Sequence, residues 1–266
     1  MKKAWVAPSF FCGVSKRKVN IEQLKGNFQL IIYKGMNDIL TIVIPCKNEG
    51  WGIIDVLALL EKQDLRTVII VADSSNNNTT YLIRQYSASN NPYLQIIPGG
   101  FPAEARNNGA MRATTPYVLF MDADIYLNEP DLLSSCLELA KSGDYDLVTC
   151  KFKTTSGKYN WVYRMFDFFQ WISSKTKPFA VGGFMLFKTE TFKKLNGFNE
   201  EDKIAEDYHL SSKINPKKFK IINRYVHTPD RRFSKKGVYY MIKLAWKSWL
   251  NRNNEDFFKK DYNYWS

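Results

Sequence analysis

From Ile39 onward, short apolar runs alternate with amphipathic stretches. Ile39-Leu40-Thr41-Ile42-Val43-Ile44 is β-branched and apolar, the pattern of a strand buried on both faces, and Pro45 ends the run. Residues 53–63 then recur with helical spacing. Thr67–Ala72 is a second buried run, closed by Asp73-Ser74-Ser75-Asn76, and residues 79–87 are helical. Leu94–Ile97 predicts a third short strand before Pro98-Gly99-Gly100, followed by a helix over 103–113. Tyr117–Met121 predicts a fourth strand, closed by Asp122-Ala123-Asp124.

Four strand–helix alternations with short connections predict an α/β fold, a mainly parallel twisted sheet with helices on both faces. In such sheets ligands gather beyond the carboxyl ends of the strands, and three of the four strands deliver polar residues there. The second half is less regular. Helices are expected over 132–141 and 160–172, the latter carrying Trp161, Met165, Phe168, Phe169 and Ile172 at helical spacing. Strands are expected over 147–152 and 220–226, with an apolar, Gly-rich segment at 180–188 and a short helix ending in 210–215. Before Ile39 only 28–34 reads as a strand, one that could form a hairpin with the run beginning at Ile39. The chain divides into a basic extension (1–37), one domain (38–237) and a basic aromatic helical segment (238–266).

Charge sharpens this division. The net charge of the 266 residues is +12. Residues 1–37 hold seven Lys/Arg against one acid, and 231–266 hold nine against three, so the stretch between is neutral. A neutral domain with two basic ends points to an anionic surface, a membrane before a nucleic acid, with plain solubility as the alternative. Cys12, Cys46, Cys136 and Cys150 form no CxxC pair and read as free thiols of a reducing compartment. No signal-peptide pattern and no run of membrane-spanning length is seen. The expected location is cytoplasmic, peripheral on the membrane's cytoplasmic face.

The strongest chemical signal is Asp122-Ala123-Asp124. Two carboxylates one residue apart at the end of a buried strand can hold one divalent cation, Mn²⁺ or Mg²⁺, which share such oxygen ligands with substrate phosphates. A solvated acidic turn would look the same. Asp73 could accept a hydrogen bond from a nucleobase imide, or simply cap the next helix. Glu206-Asp207 could supply a general base or only favourable charge at a helix start. Arg231-Arg232 could bind phosphates bidentately, and His227 could be a further metal ligand or a surface residue.

In series these residues form a pattern. The chain resembles the family 2 glycosyltransferases of GT-A fold over about Leu40 to Gly237. The resemblance rests on Val43-Ile44-Pro45-Cys46-Lys47-Asn48-Glu49, Val71-Ala72-Asp73-Ser74-Ser75, Ala105-Arg106-Asn107-Asn108-Gly109, Phe120-Met121-Asp122-Ala123-Asp124, Gly182-Gly183-Phe184, Gly197-Phe198-Asn199-Glu200, Glu206-Asp207 and Arg231-Arg232-Phe233. It implies a Rossmann-like nucleotide-binding half, an acceptor half and an inverting reaction. Pro45, Lys47 and Glu49 would line the nucleotide pocket, with Asp73 on the base. Arg106 would sit near the base or diphosphate, and Asp122-Ala123 by the ribose. Asp124 would be the direct metal ligand, aided by Asp122. Asp207 would be the general base, with the acceptor passing beside Gly182-Gly183. The implied donor is a nucleotide sugar, a UDP-sugar in the first instance, and the implied acceptor a glycan or lipid-linked glycan. Two positions depart from the family's usual pattern: Lys47 stands where an aromatic or small residue is common, and Asn76-Asn77-Asn78 where another acid is common.

The segment 238–250, VYYMIKLAWKSWL, puts Lys243 and Lys247 on one helical stripe amid Tyr and Trp, which suits an anionic membrane interface as well as packing on the domain. Rival readings are weaker. A nucleotidyltransferase would carry a Gly-rich loop after the first strand, and a dinucleotide oxidoreductase a GxGxxG. An inactive sugar- or nucleotide-binding relative would be expected to lack one of Asp122, Asp124 and Asp207. No RNA-binding motif accompanies the basic ends.

Overall fold

A computed structural model describes residues 39–91, 93–251 and 254–260. The expected strand at 28–34 lies outside these residues, as do Cys12 and the chain's last six residues.

The elements are β1 (Ile39–Cys46), α1 (Gly52–Glu61), β2 (Arg66–Asp73), α2 (Thr79–Asn90), β3 (Leu94–Pro98), α3 (Pro102–Met111), β4 (Tyr117–Met121), α4 (Leu132–Ser142), β5 (Leu147–Thr154) and α5 (Asn160–Ser173). They continue with β6 (Phe184–Lys188), α6 (Thr189–Lys194), α7 (Glu206–Ser211), a 3₁₀ turn (Pro216–Lys218), β7 (Phe219–Thr228), α8 (Arg231–Lys236), α9 (Val238–Leu250) and α10 (Glu255–Lys259). One seven-stranded sheet results, in the order β3-β2-β1-β4-β6-β5-β7.

The first half follows the hydrophobic pattern closely. The apolar runs become β1, β2 and β4, whose central residues are buried on both faces because helices cover each side. Pro45 does not end β1. The strand keeps its parallel pairing with β2 through Cys46–Asp73, whereas its pairing with β4 stops at Val43–Phe120. The proline, which has no N–H to donate, stands where β1 is paired on one side alone.

The second half contains the element that the pattern hid. Residues 184–188 form β6, antiparallel to both β4 and β5. Its Phe184, Met185, Leu186 and Phe187 are all buried, so no alternation marks them as a strand. β7 returns parallel to β5, with a register shift after Cys150. Cys46, Cys136 and Cys150 are free and buried, and burial pushes the Cys46 thiol up to about 12, so it is inert.

Candidate functional site

The carboxyl ends of β1, β2 and β4 meet at one edge of the sheet, and α3, α7 and α8 bring their charges to it. The central group is Arg106, the fourth residue after the proline that opens α3. It is 1% exposed and the largest fully buried side chain. Its Nη2 lies 2.7 Å from Oδ1 of Asp122 at the end of β4, and its Nη1 lies 2.7 Å from Oε1 of Glu206 at the start of α7. Burial disfavours the charge, but the carboxylates of Asp122 and Glu206 outweigh it and hold the guanidinium ionised. Arg106 is thus an internal counter-ion to two carboxylates.

The rest of α3 explains its Arg-Asn-Asn-Gly sequence. The amide nitrogen of Asn107 donates to the Phe198 carbonyl at 2.8 Å, and its Oδ1 accepts from the Phe198 amide at 2.9 Å. The same nitrogen reaches Glu200, so α3 is tied to the Gly197–Glu200 turn. At Gly109 a Cβ would fall 2.2 Å from Cγ1 of Val43, so only glycine lets α3 lie this close to β1.

Asp207 follows Glu206 on α7. Its Oδ2 accepts from the Gly182 amide at 2.7 Å and its Oδ1 from the Tyr208 amide at 2.7 Å. Burial and the neighbouring Glu206 raise its pKa to about 6, against the lowering effect of those amides and of Arg106. A Cβ on Gly182 would sit 3.2 Å from both Arg106 Nη2 and Asp207 Oδ2, so this glycine admits the site's own side chains. Gly183 instead faces Phe152 and Ile125 in the core, and does not leave room for an acceptor.

On the other flank, Arg231 of α8 pairs bidentately with Glu49 of the β1–α1 loop, at 2.8 and 2.9 Å, and places Nη2 2.8 Å from Oδ2 of Asp124. Arg232 stands 3.6 Å from the second oxygen of Asp122. Asp124 is 7% exposed. Its pKa is raised, first by burial and then by the charge of Asp122. Ala123, between the two acids, turns its methyl into the core and is not exposed to a ligand.

Asp73, at the end of β2, accepts from the Ser75 amide at 3.1 Å and from the Ser75 hydroxyl at 2.6 Å through one oxygen, and from the Thr80 hydroxyl through the other. It braces the β2–α2 loop, while the Asn77 side-chain oxygen accepts from the Thr79 amide and hydroxyl where α2 begins. Asn48, at φ 60°, accepts from the Asn76 amide and links this loop to the first. Lys47 is exposed and Pro45 half-buried beside them. His227 stands near the end of β7. Its backbone pairs with Tyr126 and its Nδ1 lies 3.1 Å from the Asn128 amide nitrogen, while burial and Lys153 lower its pKa. Among the described residues no three of His, Cys, Asp and Glu are grouped to hold a metal, so His227 does not complete a site with Asp122 and Asp124.

Through these contacts Glu49, Arg231, Asp124, Asp122, Arg106, Glu206 and Asp207 form one continuous string of charges. Five carboxylates face three guanidiniums, counting Arg232, and the surplus is negative. That surplus, with Asp124 strained by its like-charged neighbour, fits a divalent cation. A donor set of only two carboxylates suits Mg²⁺ or Mn²⁺, which take their remaining ligands from water and phosphate oxygens.

Comparison with known proteins agrees with this architecture. The family model described as glycosyl transferase family 2 matches residues 41–196. A poly-beta-1,6-N-acetyl-D-glucosamine synthase of Staphylococcus aureus is 27% identical over 117 residues, covering 43% of this chain and 25% of that protein. A poly(ribitol-phosphate) beta-N-acetylglucosaminyltransferase, TarS, of the same species is 27% identical over 125 residues, covering 44% of this chain and 22% of that protein. The chain therefore matches about a quarter of the length of these relatives. Among solved structures, a mannosyltransferase of Pyrobaculum calidifontis in complex with GDP-Man and Mn²⁺ aligns with TM-score 0.59 and 22% identity, covering 71% of this chain and 56% of that one. TarS 1-349 of S. aureus in complex with UDP-GlcNAc aligns with TM-score 0.57 and 21% identity, covering 71% and 58%. The sheet is of the GT-A type. With more than half of its length matched by the family model, the chain belongs to glycosyl transferase family 2.

Proposed function

We propose that the protein transfers a hexosyl group from a UDP-sugar to a hydroxyl of a glycan or lipid-linked glycan, with inversion at the anomeric carbon. The reading places it peripherally on the cytoplasmic face of a membrane. The observation that carries it is the string of charges that runs from the β1 and β4 ends to Asp207 through Arg231 and Arg106. Family membership and the nucleotide-sugar complexes of two structural neighbours support the donor class.

In this reading the loop ends of β1 and β2, with Pro45, Lys47, Glu49 and Asp73, receive the nucleoside. Asp124 and Asp122 would hold Mn²⁺ or Mg²⁺, which when bound neutralises charge on the departing diphosphate. Arg231 and Arg232 are exposed enough to turn from their carboxylates to phosphate oxygens, for which the planar guanidinium is a bidentate partner. Arg106 holds Asp122 and Glu206 in place through its two 2.7 Å contacts.

Asp207 takes the proton of the acceptor hydroxyl. The acceptor oxygen bonds to the anomeric carbon as the bond from that carbon to the diphosphate oxygen breaks, and the nucleoside diphosphate departs with the electron pair. A base with pKa about 6 is ionised at neutral pH yet still accepts a proton in the transition state. Its two amide contacts fix the carboxylate's orientation.

The test is nucleoside-diphosphate release from a panel of UDP-, GDP-, dTDP- and CMP-sugars, with a panel of glycan and lipid-linked acceptors and NMR of the product. The reading expects UDP release in the presence of acceptor and inverted anomeric configuration. Retention of configuration, or no release from any donor by folded protein, would overturn it.

A further inference from the structure

Two helices expose the apolar faces that a helix normally buries. In α5, only Val162 and Gln170 are buried, while Trp161, Phe168, Phe169, Trp171 and Ile172 are exposed, Trp171 by 57%. In α9 only Ser248 is buried, while Tyr239, Trp246, Trp249 and Leu250 are exposed, Trp246 by 55%. A helix of a globular domain hides its apolar stripe, and a cluster of this size marks a contact surface.

The two helices flank the same part of the fold. Gln170 of α5 donates to the carbonyl of Phe179 at 2.8 Å. Phe179 and Leu244 of α9 pack against one cluster that contains Tyr208, the residue after Asp207. At its other end α5 places Tyr159 and Tyr163 on Phe233 of α8, which leads into α9 through Gly237.

We propose that α5 and α9 together form the surface by which the protein lies on an anionic lipid bilayer, their aromatic side chains at headgroup depth. This names the surface behind the peripheral location given above, and of that reading it assumes the location alone. The occupant is indicated by charge. α9 contains no acidic residue and carries Lys243 and Lys247, with Lys235 and Lys236 before it. α5 is followed by Lys175 and Lys177, and its single acid, Asp167, is half-buried toward Lys151. Trp, Tyr and Phe mixed with Lys is the composition of an interfacial helix. A second copy meeting the same face would set lysines against lysines. A glycan would find Phe168, Ile172 and Leu250, which offer it no hydrogen bond. At 14 and 13 residues neither helix can span a bilayer, and no helix of the described residues is long and apolar enough to do so.

The experiment uses the full chain with vesicles of phosphatidylcholine alone or mixed with phosphatidylglycerol, read by co-sedimentation. Three variants are compared: Phe168→Ser with Trp171→Ser, Trp246→Ser with Trp249→Ser, and Lys243→Glu with Lys247→Glu. Circular dichroism and nucleotide-sugar calorimetry are run on each. The wild type is expected to bind the anionic vesicles at least about tenfold more tightly than the neutral ones, and each pair to lose about tenfold with folding and donor binding unchanged. Absence of wild-type binding, or an α5 pair that binds as the wild type does, overturns the proposal. So does a dimer that the aromatic variants split, or glycan binding that they abolish, without any vesicle binding. Vesicle binding without donor binding would fault the transferase reading and leave the surface standing.

Discussion

Asp207 accepts a 2.7 Å hydrogen bond from the backbone amide of Gly182, a contact that joins the start of α7 to the segment leading into β6 across 25 residues of chain. The carboxylate is fixed by main chain and keeps its raised pKa through burial beside Glu206. Asp207→Asn preserves the shape and is expected to lower turnover about 10²–10⁴-fold while donor affinity is unchanged. Steady-state kinetics with calorimetry of the donor checks this, and a variant with wild-type turnover would remove Asp207 as the base.

The same group sets a pH dependence. As the proposed base, Asp207 acts in its ionised form, so turnover should fall as pH drops through about 6. Stability runs the other way. The folded carboxyl holds its proton more tightly than the unfolded one at 3.8, so its contribution is present in acid and is lost as pH rises through about 6. Urea denaturation across pH 4 to 7 should show a steeper loss of stability with rising pH in the wild type than in Asp207→Asn, which keeps the raised carboxyls of Asp124 and Asp167.

Arg106 neutralises two enclosed carboxylates, so its removal strips Glu206 of its guanidinium and leaves Asp122 to the more distant Arg232, at 3.6 Å. Arg106→Met is expected to cost about 3–5 kcal/mol of stability. Combining it with Glu206→Gln should recover part of the loss, because one of the stranded charges is gone. Thermal or urea unfolding of the two variants measures both. Equal stability of Arg106→Met and the wild type would show that the ion pairs are not closed in solution.

Arg231 is half-exposed, so its bonds to Glu49 and Asp124 add little to stability. Arg231→Ala should therefore change the unfolding free energy by less than about 1 kcal/mol. It also frees the Asp124 carboxylate. Mn²⁺ binding followed by electron paramagnetic resonance without nucleotide should tighten, whereas nucleotide-sugar binding should weaken about tenfold or more through loss of a phosphate contact. Weaker Mn²⁺ binding by the variant would contradict this.

The first half of the fold was legible because each buried strand is a continuous apolar run ending in polar residues, and that also marked Asp73, Asp122 and Asp124. β6 was not, since every residue of 184–187 is buried and the segment comes directly after a glycine pair. Nor was the pairing of Arg106 with Glu206, 100 residues apart, which no local pattern encodes. The Asn107 tie to Phe198 had a faint signal in the two asparagines of the α3 motif, but its partner lies 91 residues on. α5 showed helical spacing of its aromatics, and the pattern alone cannot distinguish a stripe facing the core from one facing outward.

The central claim is a nucleotide-sugar site that depends on a cation held at Asp122 and Asp124. Its most direct test is calorimetric titration of UDP-sugars into the wild type and into Asp124→Asn, each with and without Mn²⁺. The account predicts binding by the wild type that requires Mn²⁺ and is lost in the variant while the fold is kept. Binding that is indifferent to both the cation and Asp124, or no binding of any UDP-sugar by folded wild type, would contradict it.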